Sequence, residues 1–208
     1  SFYNQAKDAD GKEYPIPLSL LISATAPVED IRKAITMDFK EAGNPVYLAG
    51  VSRRGLGGSV YNDMADPGNN FINPLDMEAA VRLYTAILKA IKSGCVAAAH
   101  DVSQGGLAVT LSEMAFSGDL GAEINLSGAV REKGLSALEL LFGESPARLA
   151  LEIVKERETG FLELVKGLPV NEIGYVNEEP VLAATDGGAG LFREDINTLK
   201  TCWKRDFI

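Results

Sequence analysis

The residues best suited to chemistry lie together in one short polar and glycine-rich stretch. A small apolar run at residues 96–99 leads into it, and an apolar-periodic segment follows it. This order is typical of a strand, a tight turn and the start of a helix. N–H groups at a helix start are unpaired and carry partial positive charge, so the stretch predicts a site for phosphate or carboxylate. A plain connection is the alternative. The stretch comprises His100, Asp101, Ser103, Gln104, Gly105 and Gly106.

A glycine-rich loop at residues 55–59 is the second candidate. It follows Arg53 and Arg54, whose guanidinium groups offer planar forks of donors that suit anionic oxygens. A solvated loop is the alternative here. Asp101 is expected to orient the first turn by hydrogen bonding to its backbone. The predicted contacts to an anion or a nucleotide phosphate are Asp101, Ser103, Gly105, Gly106, Gly57, Gly58 and Ser59.

Composition and charge exclude several classes of protein. The 208 residues carry a net charge of -9, which argues against a nucleic-acid-binding protein, because such proteins neutralise phosphates with Lys and Arg. No apolar run reaches the roughly 20 residues that cross a bilayer, and no signal peptide is visible. Cys95 and Cys202 match no metal spacing and are expected to be reduced thiols. A single His excludes a histidine-rich metal site. We expect a cytoplasmic protein and, without an initiator Met, a processed or cut piece.

Alternating and continuous apolar runs predict the strands. Residues 31–39 are assigned to a strand because Ile35, Met37 and Phe39 alternate with polar residues. Turns are predicted at 10–11 and 186–190 from their glycines. The predicted strands are 2–4, 18–26, 31–39, 46–51, 95–100, 121–126, 147–154, 173–177 and 181–184.

Apolar residues at helical spacing predict helices at 75–92, 105–117, 136–142, 157–166 and 196–204. The first of these has Pro74 before it and Gly94 after it as start and stop signals. Its apolar stripe is expected to face the core. The stripe comprises Met77, Ala80, Val81, Tyr84, Ile87, Leu88 and Ile91.

The order of these elements predicts a mixed α+β and α/β fold in two parts. Before residue 73 nearly all predicted elements are strands, and this part is too small to bury a core alone. After residue 73 helices alternate with strands, which is typical of a mixed sheet covered by helices. A linker-like composition at 66–70 places the boundary near Asn73, giving domains 1–72 and 73–208.

Several blocks of the sequence resemble phosphoribosylformylglycinamidine synthase of the small (subunit II) type. The blocks occur in the order and spacing of that family over nearly the whole chain. Residues 100–107 and 111–116 resemble its "HDVSDGGLAVALAEMAF" block, and 140–148 resemble "LLFSESPSR". The start matches the end of "SGNVSFYNE", while 38–50 and 56–61 resemble "DFKEEGDLIYLLG" and "LGGSEY".

The resemblance implies a particular place in a longer enzyme. The family has two homologous halves, each with a strand-rich A-type domain and an α/β B-type domain. The chain would be the last part of the second A-type domain, 1–72, and the complete second B-type domain, 73–208. The family converts formylglycinamide ribonucleotide, ATP and glutamine-derived ammonia to formylglycinamidine ribonucleotide with Mg²⁺. Its implied partners are the missing N-terminal part, a glutaminase subunit and a small accessory subunit.

The resemblance also implies that this chain holds no catalytic residue and no metal ligand. The catalytic His and the main ATP, Mg²⁺ and substrate residues of the family lie upstream of Ser1, and His100 is not the counterpart of that His. Gln104 stands where the family usually has Asp, which removes a carboxylate from the turn. Glu144 and Arg148 are expected either to line the site or to form an internal ion pair.

Three hypotheses follow for the function. The first is a C-terminal part of this purine-biosynthesis ligase that is inactive alone. The second is a structural or interaction half-module with a degenerate nucleotide or phosphate site. The third is another member of the same ATP-dependent superfamily, such as a selenophosphate-synthetase-like kinase, against which the 141–148 block argues. Apolar surface left exposed by truncation would also favour a homo-oligomer.

Overall fold

A computed structural model describes residues 5–15, 21–65, 68 and 70–205. The chain divides into two compact units, Ser1–Ile31 and Arg32–Ile208. In the first unit, β1 (Gln5–Lys7) pairs antiparallel with β2 (Glu13–Pro15). The predicted turn at 10–11 joins them, with Gly11 at φ +79°.

Two of the strands predicted before residue 73 lie wholly or partly outside the described residues. The strand at 2–4 lies outside the described residues, as do residues 18–20 of the strand at 18–26 and most of the predicted linker. Residues 21–26 are described, and the prediction of a buried strand there is wrong, because they form no strand and are exposed. An apolar run becomes a buried strand only where another strand pairs with it.

The second unit is built on a seven-stranded sheet in the order β4-β6-β3-β7-β5-β8-β9. The β5–β8 pair is parallel and all the other pairs are antiparallel, so the predicted mixed sheet is confirmed. The hairpin between β8 and β9 turns at Gly187 and Gly188, inside the predicted turn. The strands are β3 (Pro45–Ala49), β4 (Val96–Asp101), β5 (Gly121–Asn125), β6 (Leu149–Ile153), β7 (Val170–Asn177), β8 (Val181–Asp186) and β9 (Ala189–Asp195).

Helices cover the two faces of this sheet. Successive residues of β3 point to opposite faces, so Val46 and Leu48 join one apolar cluster while Tyr47 and Ala49 join the other. α3, α4 and α6 contribute to the first cluster, and α2 and α5 contribute to the second. The helices are α1 (Val60–Ala65), α2 (Met77–Lys92), α3 (Gly106–Gly118), α4 (Ala137–Phe142), α5 (Glu158–Leu164) and α6 (Ile196–Lys204).

Two further predictions need correction. Residues 31–39 are not a strand, but a 3₁₀ turn at Ile31–Lys33 followed by irregular chain. Phe39 is buried in the core at 2% exposure, whereas Met37 is exposed. The alternation of apolar and polar residues at 35–39 therefore does not correspond to a strand with one buried face. The helix at 75–92 is confirmed as α2, and its predicted core stripe is correct at Ala80 and Ile87 but wrong at Met77, Val81, Tyr84 and Leu88. The buried residues are Ala80, Leu83, Ile87 and Ala90, and most of the predicted stripe is exposed.

The sheet includes residues on both sides of the predicted domain boundary. β3 precedes residue 73, yet it lies between β6 and β7 near the centre of the sheet. The compact units divide between Ile31 and Arg32, and the domains 1–72 and 73–208 stay a prediction. No helix in the described part of the chain is long and apolar enough to cross a membrane.

Candidate functional site

The turn between β4 and α3 carries the first group of predicted residues. Gly105 and Gly106 have φ values of +81° and +69°, which a side chain would strain. A Cβ on Gly106 would lie 2.6 Å from the carbonyl oxygen of Leu141 and 2.8 Å from the Cα of Phe142. The glycine at 106 is therefore required where α3 approaches the end of α4, whether or not a ligand binds.

Glu144 connects this turn to the second predicted loop. Its Oε1 accepts a hydrogen bond from the N–H of Gly105 at 2.9 Å. The same oxygen accepts another from the N–H of Val60, the first residue of α1, also at 2.9 Å. The two glycine-rich stretches that the sequence predicted as anion-binding are thus brought together. The anion between them in this structure is a carboxylate of the protein itself.

The remaining N–H groups of the two stretches are mostly satisfied by backbone. Gly106 N–H donates to the carbonyl of Ser103 at 3.0 Å, and Gly57 N–H donates to that of Phe71, also at 3.0 Å. Ser59 is fully buried, and its hydroxyl donates to the Leu56 carbonyl at 2.6 Å. Gly58 is partly exposed at φ +74° with open space around its Cα. Hydrogen bonds within the protein therefore occupy the N–H groups of Gly57, Gly105 and Gly106.

Asp101 and Ser103 lie at the edge of this arrangement. The Asp101 side chain is 69% exposed, and its Oδ1 lies 3.3 Å from the Nδ1 of His100. Ser103 is exposed and contributes its carbonyl to the turn. The other ring nitrogen of His100, Nε2, lies 2.9 Å from Glu113 Oε2. Both nitrogens of the chain's only His are therefore next to carboxylates.

Arg148 is the largest charged group in the interior. It is 2% exposed, and its guanidinium donates to the carbonyls of Gly143 and Ser145 and to the hydroxyl of Ser52. Burial lowers the pKa of Arg148 to about 10, and the nearby charge of Glu144 acts in the opposite direction. The expected internal ion pair is not found, because Arg148 donates to Ser52, Gly143 and Ser145 while Glu144 accepts from Gly105 and Val60. The hydrogen bonds of Arg148 shape the 143–148 segment from which Glu144 reaches the glycine turns.

The two arginines before the second loop also bind within the protein. Arg53 Nη1 lies 3.4 Å from Glu132 Oε1. Arg54 Nη2 donates to the carbonyls of Lys133 and Gly134 at 3.2 and 3.1 Å. These contacts favour the alternative in which the arginines hold a loop and do not meet an anion.

A surface groove lies away from the glycine turns. It has a volume of about 410 Å³ and opens on strands β5 and β7, with Glu123, Glu172 and Tyr175 among its lining residues. None of the predicted anion contacts lines it. In the described ranges, no group of three or more His, Cys, Asp or Glu side chains is arranged to hold a metal ion.

Sequence reasoning expected Glu144 near the site but missed its hydrogen bonds to both turns. Its partners are separated from it by 39 residues at Gly105 and 84 residues at Val60. No local pattern encodes a contact over such a distance. The one signal in the sequence was that the 140–148 block and both glycine stretches resemble blocks of the same family.

A curated protein much longer than this chain is similar to it in sequence. The chain is 35% identical over 184 residues to phosphoribosylformylglycinamidine synthase subunit PurL of Thermococcus sibiricus. The aligned region covers 88% of this chain and 24% of that protein. The chain therefore spans about a quarter of the length of this curated relative.

Solved structures share the fold. Thermotoga maritima PurL complexed with FGAR matches with a TM-score of 0.71 and 23% identity over 81% of this chain and 30% of that chain. The structure of PurLQS from Thermotoga maritima matches at 0.69 and 23%, over 81% of this chain and 28% of that chain. Escherichia coli HypE, a hydrogenase maturation protein, matches at 0.54 and 19%, over 75% and 50%. At these identities the likeness concerns the fold alone.

The family comparison covers most of the described sheet and helices. The model for "AIR synthase related protein, C-terminal domain" matches residues 41–187, which include β3 to β8 and the Glu144 contacts. The chain belongs to the AIR synthase related protein, C-terminal domain family.

Proposed function

We propose that this chain is the C-terminal part of a phosphoribosylformylglycinamidine synthase of the small type. Such a ligase uses ATP to phosphorylate the amide oxygen of formylglycinamide ribonucleotide, and ammonia from glutamine then displaces the phosphate to form the amidine. The observation that carries this proposal is the 35% identity to the Thermococcus sibiricus subunit over 88% of the chain.

Within the ligase, the 208-residue chain serves as a scaffold and supplies no catalytic group. His100 is flanked by Asp101 and Glu113 at both ring nitrogens, which makes it poorly placed to act as a base on a substrate. The N–H groups of the glycine turns are satisfied by Glu144 and by backbone carbonyls. An anion would bind at the predicted residues only after displacing the Glu144 carboxylate.

The cofactors and partners of the proposed ligase follow from the family. ATP and Mg²⁺ are assigned to the rest of the synthase, because the family resemblance implies that their main binding residues precede the part that this chain represents. The proposed partners are the N-terminal part of the synthase, a glutaminase subunit and a small accessory subunit, in the cytoplasm. The division into A-type residues 1–72 and B-type residues 73–208 also stays a proposal, and the family match from residue 41 supports an earlier boundary.

A chimera tests the proposal directly. The C-terminal quarter of the Thermococcus sibiricus subunit is replaced by the aligned part of this chain, and amidine formation is measured with ammonia as the nitrogen source. The chimera should be active, whereas the 208-residue chain alone should show no turnover with ATP-Mg²⁺. A folded but inactive chimera would contradict the proposed role, and turnover by the chain alone would contradict the scaffold assignment.

The Glu144 contacts favour a second candidate, in which the chain is a structural or interaction half-module whose ancestral anion site is closed. Soaking crystals of the chain with phosphate or ADP distinguishes the two states of this site. Density at Gly105 and Gly106 with Glu144 displaced would indicate a functional anion site. Unchanged Glu144 contacts at saturating ligand would indicate a site that is only structural.

A further inference from the structure

The only histidine of the chain lies between two carboxylates. The Nε2 of His100 lies 2.9 Å from Oε2 of Glu113 on α3, and its Nδ1 lies 3.3 Å from Oδ1 of Asp101. A neutral imidazole carries one N–H group, an imidazolium carries two, and an ionised carboxylate only accepts hydrogen bonds. Both contacts are therefore satisfied together only while His100 is protonated.

Glu113 also holds the C-terminal helix. Its second oxygen, Oε1, accepts a hydrogen bond at 2.9 Å from the indole N–H of Trp203 in the last turn of α6. The indole packs beside Phe116 of α3, with the ring centroids 5.6 Å apart. One carboxylate thus connects His100 on β4 to the end of α6.

Glu113 depends on His100 for its counter-charge. Its side chain is only 21% exposed, and a carboxylate removed from water is costly unless a cation compensates it. In the part of the chain that the structure describes, no Lys or Arg forms an ion pair with Glu113 or Asp101. Loss of the proton from His100 leaves two carboxylates beside an uncharged ring. Asp101 is 69% exposed and stays hydrated, so Glu113 bears most of the cost.

The neighbouring strand β6 offers no replacement cation. Ala150, which pairs with His100 across the two strands, carries no charge. Glu152, two residues further along β6, is fully buried, and its carboxylate accepts hydrogen bonds from the 40–44 segment. Arg148, just before β6, already donates to one hydroxyl and two carbonyls. The charge on the imidazolium is therefore not duplicated from this side.

The lysines of the other packed elements are engaged elsewhere. On the segment that hydrogen-bonds to the edge of β4, Lys40 pairs with Asp38 at 2.6 Å. On α6, Lys200 donates to a carbonyl of α3 and lies 3.8 Å from Asp119. The remaining charged residues at the end of α6, both exposed, are Lys204 and Arg205.

We propose that His100 is a pH-sensitive lock on the last turn of α6, in which its protonated ring holds Glu113 against the indole N–H of Trp203. When the ring loses its proton, the Glu113 carboxylate turns toward water and the Trp203 contact loosens. The stabilisation is present below the pH at which the ring titrates and is lost as the pH rises through it. Ile196, which is 2% exposed, keeps the first turn of α6 docked in both states. The proposal does not depend on the proposed ligase reaction.

The first experiment measures how easily acrylamide, an uncharged quencher, reaches Trp203, the only Trp of the chain. The quenching constant should be about twofold higher at about pH 8.5 than at about pH 5.5, on either side of the usual range of histidine titration. His100→Gln keeps a neutral donor but cannot titrate, and Glu113→Gln removes the charge that needs compensation. Each of these variants should give the same constant at both pH values. The matched control is Glu163→Gln on the exposed side of α5, which should keep the twofold change.

The second experiment follows the ring nitrogens of His100 and the indole N–H of Trp203 by NMR over the same pH range. In the wild type both signals should follow one titration curve. This comparison needs no variant, so it decides the question even where a substitution prevents folding, which circular dichroism detects. An absent or opposite change in quenching overturns the proposal. A change that persists in His100→Gln or Glu113→Gln, or separate midpoints for the two NMR signals, also overturns it.

Discussion

Glu144 Oε1 lies 2.9 Å from the N–H of Gly105 and equally close to that of Val60, so one oxygen holds two helix-start segments together. Hydrogen bonds to a charged acceptor are stronger than those between neutral groups. The oxygen therefore accepts hydrogen bonds from both of the stretches that the sequence predicted as anion-binding. This relationship accounts for the proximity of three sequence blocks that are distant in the chain.

Removing this carboxylate should loosen both turns. Glu144→Ala leaves two N–H groups without their acceptor, and we expect the free energy of unfolding to fall by about 3 kcal/mol in urea titrations. Inorganic phosphate should then raise the melting temperature of the variant more than that of the wild type, because an anion can occupy the emptied position. The control is Glu163→Ala on the exposed side of α5. If both variants lose equally little stability, the Glu144 contacts have no structural role.

The two glycines of the β4–α3 turn should differ in their tolerance of a side chain. Gly106→Ala directs a Cβ at the backbone of residues 141 and 142, which cannot easily move, so we expect a loss of about 3 kcal/mol or more in unfolding free energy. Gly105→Ala meets Cγ2 of Val109 at 2.3 Å and its Cβ at 2.8 Å, which a rotamer change alone cannot relieve. This clash lies within α3 and not against a second backbone segment, so we expect the substitution to cost less than Gly106→Ala. Gly190→Ala, with open space around it, should change stability by under about 0.5 kcal/mol. Equal losses at 105 and 106 would contradict the close packing of α3 on α4.

Much of this fold follows from the pattern of apolar residues, but the orientation of α2 does not. The apolar residues of that helix span more than one face, and periodicity cannot tell which of them meets the sheet. In the structure, Leu83, Ile87 and Ala90 join the apolar cluster on the sheet. The prediction shared Ile87 with this face but also included Tyr84 and Leu88, which are exposed.

The sequence predicted the two glycine turns but not the residue that contacts both, and anion binding at these turns stays a prediction. Glycines at 57–58 and 105–106 predicted two turns, and Gly58, Gly105 and Gly106 have φ values above zero, which glycine adopts without strain. The partner that fills them comes from a loop that is distant in sequence, which no local rule reaches. α1 and β9 were also missed, since α1 has no buried residue and β9 is largely exposed, so neither shows a clear apolar period.

The ion pair between Arg131 and Asp186 should make stability depend on pH in acid. The guanidinium donates to both carboxylate oxygens at 2.8 and 2.7 Å, and these hydrogen bonds hold the pKa of Asp186 below its usual value of 3.8. A lowered folded-state pKa stabilises the protein above the unfolded-state pKa, and this contribution is lost as the pH falls through the folded-state value. Asp186→Asn should therefore unfold with about 1 kcal/mol less free energy at pH 7 and lose less on acidification below about pH 4.

Asp119→Asn is the matched control for that measurement, since Asp119 lies 3.8 Å from Lys200 and its side chain is 80% exposed. Urea titrations at a series of pH values should give the control the wild-type dependence. If Asp186→Asn runs parallel to the wild type down to the acid transition, the bidentate pair is not the source of the acid sensitivity.

Arg148 allows the cost of burying a cation to be separated from the value of its hydrogen bonds. Arg148→Met removes the charge but leaves the Ser145 and Gly143 carbonyls and the Ser52 hydroxyl without their donor. We expect this variant to lose about 3 kcal/mol of unfolding free energy, since three acceptors close to the core become unpaired. Arg82→Met on the surface of α2 removes an exposed ion pair and should change stability by under about 0.5 kcal/mol. A stable Arg148→Met variant would mean that the desolvation of the guanidinium already offsets its three hydrogen bonds. The 143–148 segment would then hold Glu144 in place through backbone packing alone.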